Sequence, residues 1–471
     1  MRFLIFFLAI LTAHPVWAGL PVPVIQALRD ADIPPASVAL YVRQVDRPQP
    51  LIAHQADRAM NPASVMKLVT TYAGLEILGP AYSWKTEIHA AGPIKDGVLD
   101  GDLILKGYGD PALTLAGFWE LLRSLRNTGL REIKGNLVLD RGYFEPSAAD
   151  PGAFDGEPWR AYNATPDALL VNFKATQFGF RVEQDHVVVV ADPDLPQLKA
   201  VNRLELRQAP CVDWKDRLDY QVTREPTRYE TEQVVIAFNG SYAAACGEQT
   251  LNLALLDDSG YVFQLFRQLW HEQGGTLAGT LKQGDVPANA RLVLQGNSPP
   301  LAEAVRMINK NSNNVMARQM LLTIGAEKAG VPGSVEKGAA VVRQWLGNKG
   351  LDFSELVIEN GAGLSRVERI GARHLGELLV AAWHSPVMPE LMSSLPIAAV
   401  DGTLEKRLKN TPVAGSAHIK TGSLDGVRAM AGYLLDRRGR RWVVVFVVNH
   451  AHAAASHAAQ DALLQWLYDR N

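Results

Sequence analysis

A mixed α/β protein of the α+β kind, an antiparallel sheet flanked by helices with β-rich insertions, is predicted by three features of the chain. Alternating apolar runs form hairpins near both ends, and each adjoins an apolar-periodic helix. Between them lies a long stretch of short β-branched segments separated by Gly, Pro and Asp turns. The 471 residues, 47% hydrophobic and 20% charged with a net charge of -2, suffice to bury a large core.

The elements follow in order. Met1-Arg2 supplies a positive start, Phe3 to Ala13 is mostly apolar, and Val16-Trp17-Ala18 offers small residues before a cleavage point after Ala18. Segment 1–18 therefore reads as an export signal, its apolar run being shorter than the about 20 residues that span a bilayer. Ser37 to Asp46 and Gln49 to His54 form a hairpin, and Asn61-Pro62-Ala63 opens a helix that stops at Gly79-Pro80. Leu103 to Leu105, Asn136 to Leu139, His186 to Ala191 and Gln233 to Phe238 are strands of the middle stretch. Met430 to Asp436 and Arg441 to Asn449 form a second hairpin, followed by a helix from Ala455 to Tyr468. Residues 19–90 and 286–471 are thus expected to form one domain, with 91–285 inserted as one or two β-rich domains.

Composition excludes some partners. Scattered Lys and Arg with a near-neutral balance give no basic stripe for nucleic acid. No later segment is long and apolar enough to span a membrane once the signal is removed; Trp442 to Val448 reads as a buried strand. Cys211 and Cys246 are the two cysteines, and an exported protein meets an oxidising compartment in which they can close a disulfide. The alternative is a pair of buried thiols. No His or Cys cluster with ligand spacing surrounds either, so no metal is expected.

Three short strings stand in one order: Ser64-Val65-Met66-Lys67, Ser312-Asn313-Asn314 and Lys420-Thr421-Gly422. As Ser-x-x-Lys, Ser-x-Asn and Lys-Thr-Gly they resemble the signature set of penicillin-recognising serine acyl transferases. A serine hydroxyl needs a base, and on a helix Lys67 faces the same side as Ser64. To act as base that lysine must be neutral, for which burial or a neighbouring cation such as Lys420 is required. Lys420 with Thr421 can also hold a terminal carboxylate. Ser312 can relay a proton to the leaving amine, and Asn314 can hydrogen-bond Lys67 and the substrate backbone. By resemblance, the backbone N–H groups of Ser64 and Ser423 face the developing oxyanion.

Each string alone is weak. Ser-x-x-Lys is expected about once by chance in such a chain. Ser334-Val335-Glu336-Lys337 matches it too, out of order and after Pro332-Gly333, so Ser334 reads as a helix cap. Capping is the rival reading for Ser64 and Ser312 as well, and a solvated strand lysine for Lys420.

The surrounding strings sharpen the resemblance: Leu105-Lys106-Gly107-Tyr108-Gly109-Asp110-Pro111, Glu359 to Arg366 (Glu-Asn-Gly-Ala-Gly-Leu-Ser-Arg), Ser394-Leu395-Pro396-Ile397 and Asp401-Gly402-Thr403-Leu404. The ensemble is similar to the class C low-molecular-mass penicillin-binding proteins, the D-alanyl-D-alanine carboxypeptidase/endopeptidase family of the penicillin-binding protein 4 type, over nearly the whole mature chain. The resemblance implies a β-lactamase/transpeptidase-like domain, two inserted domains, peptidoglycan stem peptides and β-lactams as ligands, no cofactor, and a periplasmic location. A homodimer is allowed by it. It also implies that Asp140 and Arg366 line a pocket for the substrate's third side chain, against which stand a turn cap and a surface ion pair. One departure is Asn360-Gly361-Ala362-Gly363, where the family often has Asp-Gly-Ser-Gly, for which altered fine detail is expected.

Two other functions compete. A β-lactamase would carry a deacylating glutamate; Glu248-Gln249-Thr250-Leu251-Asn252 matches the Glu-x-x-Leu-Asn string but precedes Ser312, against the expected order. A non-catalytic scaffold would have no physical need for the serine and both lysines.

Overall fold

The structure, a computed structural model, describes residues 19–147, 149–226 and 232–470. The segment assigned to the export signal, 1–18, lies outside the described residues. The chain condenses into two compact units. The first runs up to Val69, takes in Leu351–Ile358 and resumes from Val367; the second holds Thr70–Gly350 and Glu359–Arg366.

The first unit is built on a five-stranded antiparallel sheet in the order Ile52–His54, Val38–Gln44, Arg441–Asn449, Val427–Leu435, Ala417–Leu424. Both hairpins expected from sequence are present, and they share one sheet through Val38–Gln44 and Arg441–Asn449. The Arg441–Asn449 strand is buried from Trp442 to Val448, as a central strand covered on both faces requires. Against one face pack helices Val22–Asp30 and His457–Asp469, whose Val24, Leu28, Leu463 and Leu467 join Leu40, Val444 and Phe446 in one core. Helix Ala372–Trp383 covers the other face: the Tyr433 hydroxyl donates to Leu379 O at 2.7 Å, and a Cβ on Gly376 would stand 2.2 Å from the Tyr41 ring. Ala417–Leu424, carrying the Lys-Thr-Gly motif, is an edge strand.

In the second unit, strands Lys85–Ala91 and Arg291–Asn297 pair with each other, and Lys85–Ala91 pairs with Asp102–Gly107, inside one five-stranded sheet. That pairing joins strands from both sides of the stretch 91–285 to strand Asp102–Gly107 within it. The stretch is β-rich but also carries helices Leu115–Asn127 and Asp258–Glu272. Phe118, Leu121, Leu122 and Leu125 show the spacing that marks the first of these, and Thr114 caps it by accepting from Gly117 N. Three more helices, Leu301–Asn311, Asn314–Ala329 and Val335–Asn348, complete the unit. The last two touch backbone to backbone, since a Cβ on Gly338 would lie 2.3 Å from Leu321 O. The disulfide expected between Cys211 and Cys246 is formed, closing a sequence separation of 35. Among the described residues no helix is long and apolar enough to cross a membrane.

Candidate active site

The nucleophile string sits where a 3-10 turn, Ala63–Met66, runs into helix Lys67–Ile77. The turn is prepared by Asn61, whose Oδ1 accepts from Ala63 N at 2.9 Å and so bends the chain before Ser64. Asn61 is clamped in turn by the Asn449 side chain, which accepts from Asn61 N at 2.9 Å and donates to Asn61 O at 3.0 Å. Lys67, fully buried, donates from Nζ to Ser64 Oγ at 2.9 Å. Ser64 is half-buried and lies inside the turn rather than capping it. The second Ser-x-x-Lys copy behaves differently: Ser334 Oγ accepts from Lys337 N at 3.3 Å as an N-cap, and Lys337 Nζ is turned to Gly330 O and Pro332 O.

The Lys-Thr-Gly strand packs its backbone on that turn. A Cβ added at Gly422 would stand 2.6 Å from Pro62 O and 2.9 Å from Ser64 N, so only glycine permits this approach. Lys420 is fully buried and donates to Thr421 O at 2.7 Å. Burial penalises its charged form and lowers its pKa to about 7. Thr421 Oγ1 lies 2.7 Å from Thr403 Oγ1, which ties the Asp401-Gly402-Thr403-Leu404 string to the motif strand. Ser423 is exposed beside them.

Ser312 and Asn314 belong to the second unit, at the junction of two helices. Ser312 ends Leu301–Asn311 in a left-handed conformation (φ 56°, ψ 38°), an uncommon state for a residue with a Cβ. The capping is done by Asn313, whose side chain accepts from Met316 N at 3.0 Å. Asn314 then opens the next helix, with Nδ2 3.5 Å from Tyr162 O.

Asp140 and Arg366, assigned by resemblance to a side-chain pocket, each have close neighbours in the second unit. Asp140 is buried; its carboxylate accepts from Lys106 Nζ at 2.9 Å, Gly142 N at 3.1 Å and Val286 N at 3.1 Å. The Arg366 guanidinium stands 4.8 Å over the Phe154 ring. Asn360, the departure from the family pattern, accepts from Ala362 N and donates from Nδ2 to Leu364 O, both at 2.9 Å; an aspartate would lack the second bond. Glu248 is exposed beside strand Gln249–Leu253 of the inserted stretch. Sequence reasoning missed Asn61, Asn449 and Thr403 as supports. Only the Asn-Pro before Ala63 hinted at the first, and nothing local signals that Asn449 reaches back 388 positions.

Residues 23–470 match the model of the D-Ala-D-Ala carboxypeptidase 3 (S13) family. A D-alanyl-D-alanine carboxypeptidase of Actinomadura sp. (strain R39) is 30% identical over 427 residues, covering 88% of this chain and 78% of the relative. The D-alanyl-D-alanine carboxypeptidase DacB of Haemophilus influenzae is 24% identical over 421 residues, 88% of this chain and 85% of its own. The crystal structure of penicillin binding protein 4 (dacB) from Haemophilus influenzae superposes with a TM-score of 0.78 at 22% identity, over 96% of this chain and 100% of that one, and shows the same fold. With a family match over nearly its whole length, the chain belongs to the D-Ala-D-Ala carboxypeptidase 3 (S13) family.

Proposed function

We propose that the protein is a serine DD-peptidase that removes the terminal D-alanine of peptidoglycan stem peptides and cleaves D-alanyl cross-links through an acyl-enzyme on Ser64. The observation that carries this is the 2.9 Å contact between Lys67 Nζ and Ser64 Oγ beneath the Gly422 backbone. Lys67 takes the hydroxyl proton as Oγ attacks the carbonyl of the penultimate residue. The oxyanion is received by the N–H groups of Ser64 and Ser423, while Lys420 and Thr421 hold the terminal carboxylate. The C–N bond then breaks, the amine leaves with a proton relayed by Ser312, Asn314 orients the substrate amide, and water hydrolyses the ester. The parts of Ser312, Asn314 and Ser423 rest on motif order and resemblance. So does a third-residue pocket of Asp140 and Arg366, which is tested by whether Asp140→Ala and Arg366→Ala change selectivity between diaminopimelate and lysine peptides.

Brief exposure to penicillin G, read by intact-protein mass, tests the core of this. One stable penicilloyl group on the wild type and none on Ser64→Ala is the expected result. Rapid, complete hydrolysis of the drug would instead make the protein a β-lactamase. Failure to turn over a D-Ala-D-Ala peptide despite acylation would leave a binding scaffold. No metal is needed by this chemistry, so EDTA should leave peptidase activity unchanged; zinc-restored activity after chelation would overturn the mechanism. Export to the periplasm is part of the same proposal, supported by the closed Cys211–Cys246 pair. Sequencing of the mature N-terminus should begin at Gly19.

A further inference from the structure

The second unit holds a pocket of about 450 Å³, inside the about 300–1,000 Å³ range of small-ligand sites. One wall is Asn311 to Asn314, which includes the Ser-x-Asn motif; the other comes from the inserted stretch, beyond anything the acyl-transfer chemistry uses.

Its floor is an ordered polar row. Gln177 on strand Thr176–Glu183 lies directly opposite Asp192 on His186–Asp192 and directly opposite Asn252 on Gln249–Leu253. Opposed residues in antiparallel strands project from the same face, so the three side chains form a line about 10 Å long across three strands. All three are exposed. Two aromatic residues flank the space, Tyr162 and Phe173. Phe173 is the centre of three consecutive left-handed residues, Asn172, Phe173 and Lys174, with φ of 49°, 55° and 44°. Such a run persists only where its surroundings hold it. Asn172 does so: its side chain accepts from Leu115 N and donates to Ala175 O and to the Tyr261 hydroxyl.

The chemistry of the lining selects the ligand. Among the described lining residues none is Lys, Arg or His, and Asp192 is the single acid, so the lining brings no cationic side chain to a phosphate or carboxylate. Carboxamides that donate and accept, set beside aromatic faces, suit a neutral ligand with hydroxyl and acetamido groups and apolar C–H faces. We infer that this pocket is a saccharide subsite that takes an N-acetylated amino sugar of the glycan strand bearing the stem peptide. The inference rests on the DD-peptidase reading for its substrate, and it makes the enzyme prefer glycan-linked over free peptides.

Two measurements on the mature full-length protein decide it. The first compares kcat/KM for a disaccharide-pentapeptide with that for the free pentapeptide, in the wild type and in Gln177→Ala, Asn252→Ala and Phe173→Ala. The second follows saturation transfer to the acetyl methyl protons of an N-acetylglucosamine tetramer by NMR. A wild-type preference for the glycosylated substrate that falls about tenfold in the variants, with loss of tetramer signal, is expected. Gln177 and Asn252 are exposed, so their variants keep the test alive if Phe173→Ala fails to fold. Equal loss on both substrates would assign the pocket to peptide and overturn the inference, as would a wild type that neither prefers the glycan nor binds the tetramer. A protein that binds the tetramer but cleaves neither peptide would retain the saccharide site and discard the DD-peptidase reading.

Discussion

Lys420 and Gly422 each carry a consequence that a three-letter motif does not express. With the lysine's pKa lowered to about 7 by burial, its ammonium is present below that pH and lost as pH rises through it. kcat/KM for a D-Ala-D-Ala peptide should therefore show a limb that falls with rising pH, centred near 7. In Lys420→Arg, whose guanidinium stays charged, that limb should move to higher pH; an unmoved limb would remove Lys420 from carboxylate binding. Gly422→Ala would drive a Cβ to 2.6 Å from Pro62 O and displace the Ser64 N–H it faces. Loss of an oxyanion donor costs on the order of 10²–10³ in rate, and penicillin acylation should slow by about that factor. Acylation at the wild-type rate would show that the turn can yield. The two Ser-x-x-Lys copies give the matching contrast. Ser334→Ala should cost about 1 kcal/mol of stability through a lost cap and leave acylation unchanged, whereas Ser64→Ala abolishes acylation.

The active-site turn is an element held from outside itself. A 3-10 turn of four residues has little stability of its own, and its geometry is set by the two Asn449 hydrogen bonds to the Asn61 backbone. Asn449→Ala strands a buried N–H and C=O, each costing about 1–3 kcal/mol, so both the thermal midpoint and the acylation rate should fall. A lowered midpoint with unchanged acylation would make the clamp structural only. The Ser312 junction follows another logic. Asn313 supplies the cap, which relieves Ser312 of that duty while leaving it in a left-handed conformation that a β-carbon disfavours. Element boundaries were legible where local pattern dominates: both hairpins and the helices that follow them lie within a few residues of their expected places, whereas helix Val22–Asp30 was not expected. Helices Leu115–Asn127 and Asp258–Glu272 were overlooked because their apolar periodicity is embedded among β-branched segments, although Thr114 and Asp257 mark their starts.

Across the whole molecule, the disulfide is the covalent device most open to test. Closing a loop of this size contributes about 2–4 kcal/mol in the chain-entropy account, so the Cys211→Ala/Cys246→Ala double variant should unfold at lower denaturant. Because both cysteines lie in the second unit and Ser64 and Lys67 in the first, folded double variant should still be acylated by penicillin. Loss of acylation in folded protein would show that the inserted stretch supports the serine. The division into units is also a property of the whole. Pairing of Lys85–Ala91 with Arg291–Asn297 joins segments about two hundred positions apart, and such pairing is set by packing rather than by any local pattern.

The sequence by itself determined the chemistry on offer and its order along the chain: a serine with a lysine one helical turn on, a Ser-x-Asn junction and a Lys-Thr-Gly strand, enough to imply the family. It also determined the hairpins and the cysteine pair, since alternation, turn residues and composition are local and survive without coordinates. Motif order already set Ser64 apart from Ser334, and tertiary structure supplied the contact itself, with Lys67 Nζ on Ser64 Oγ and Lys337 Nζ turned to backbone oxygens. Tertiary structure alone decided that Lys420 titrates near neutrality, that Gly422 is glycine for clearance rather than for a turn, and that Asn449 fixes the loop before the nucleophile. Each of these depends on burial or on contact between residues distant in sequence, and neither quantity is written in the neighbourhood of the residue it governs.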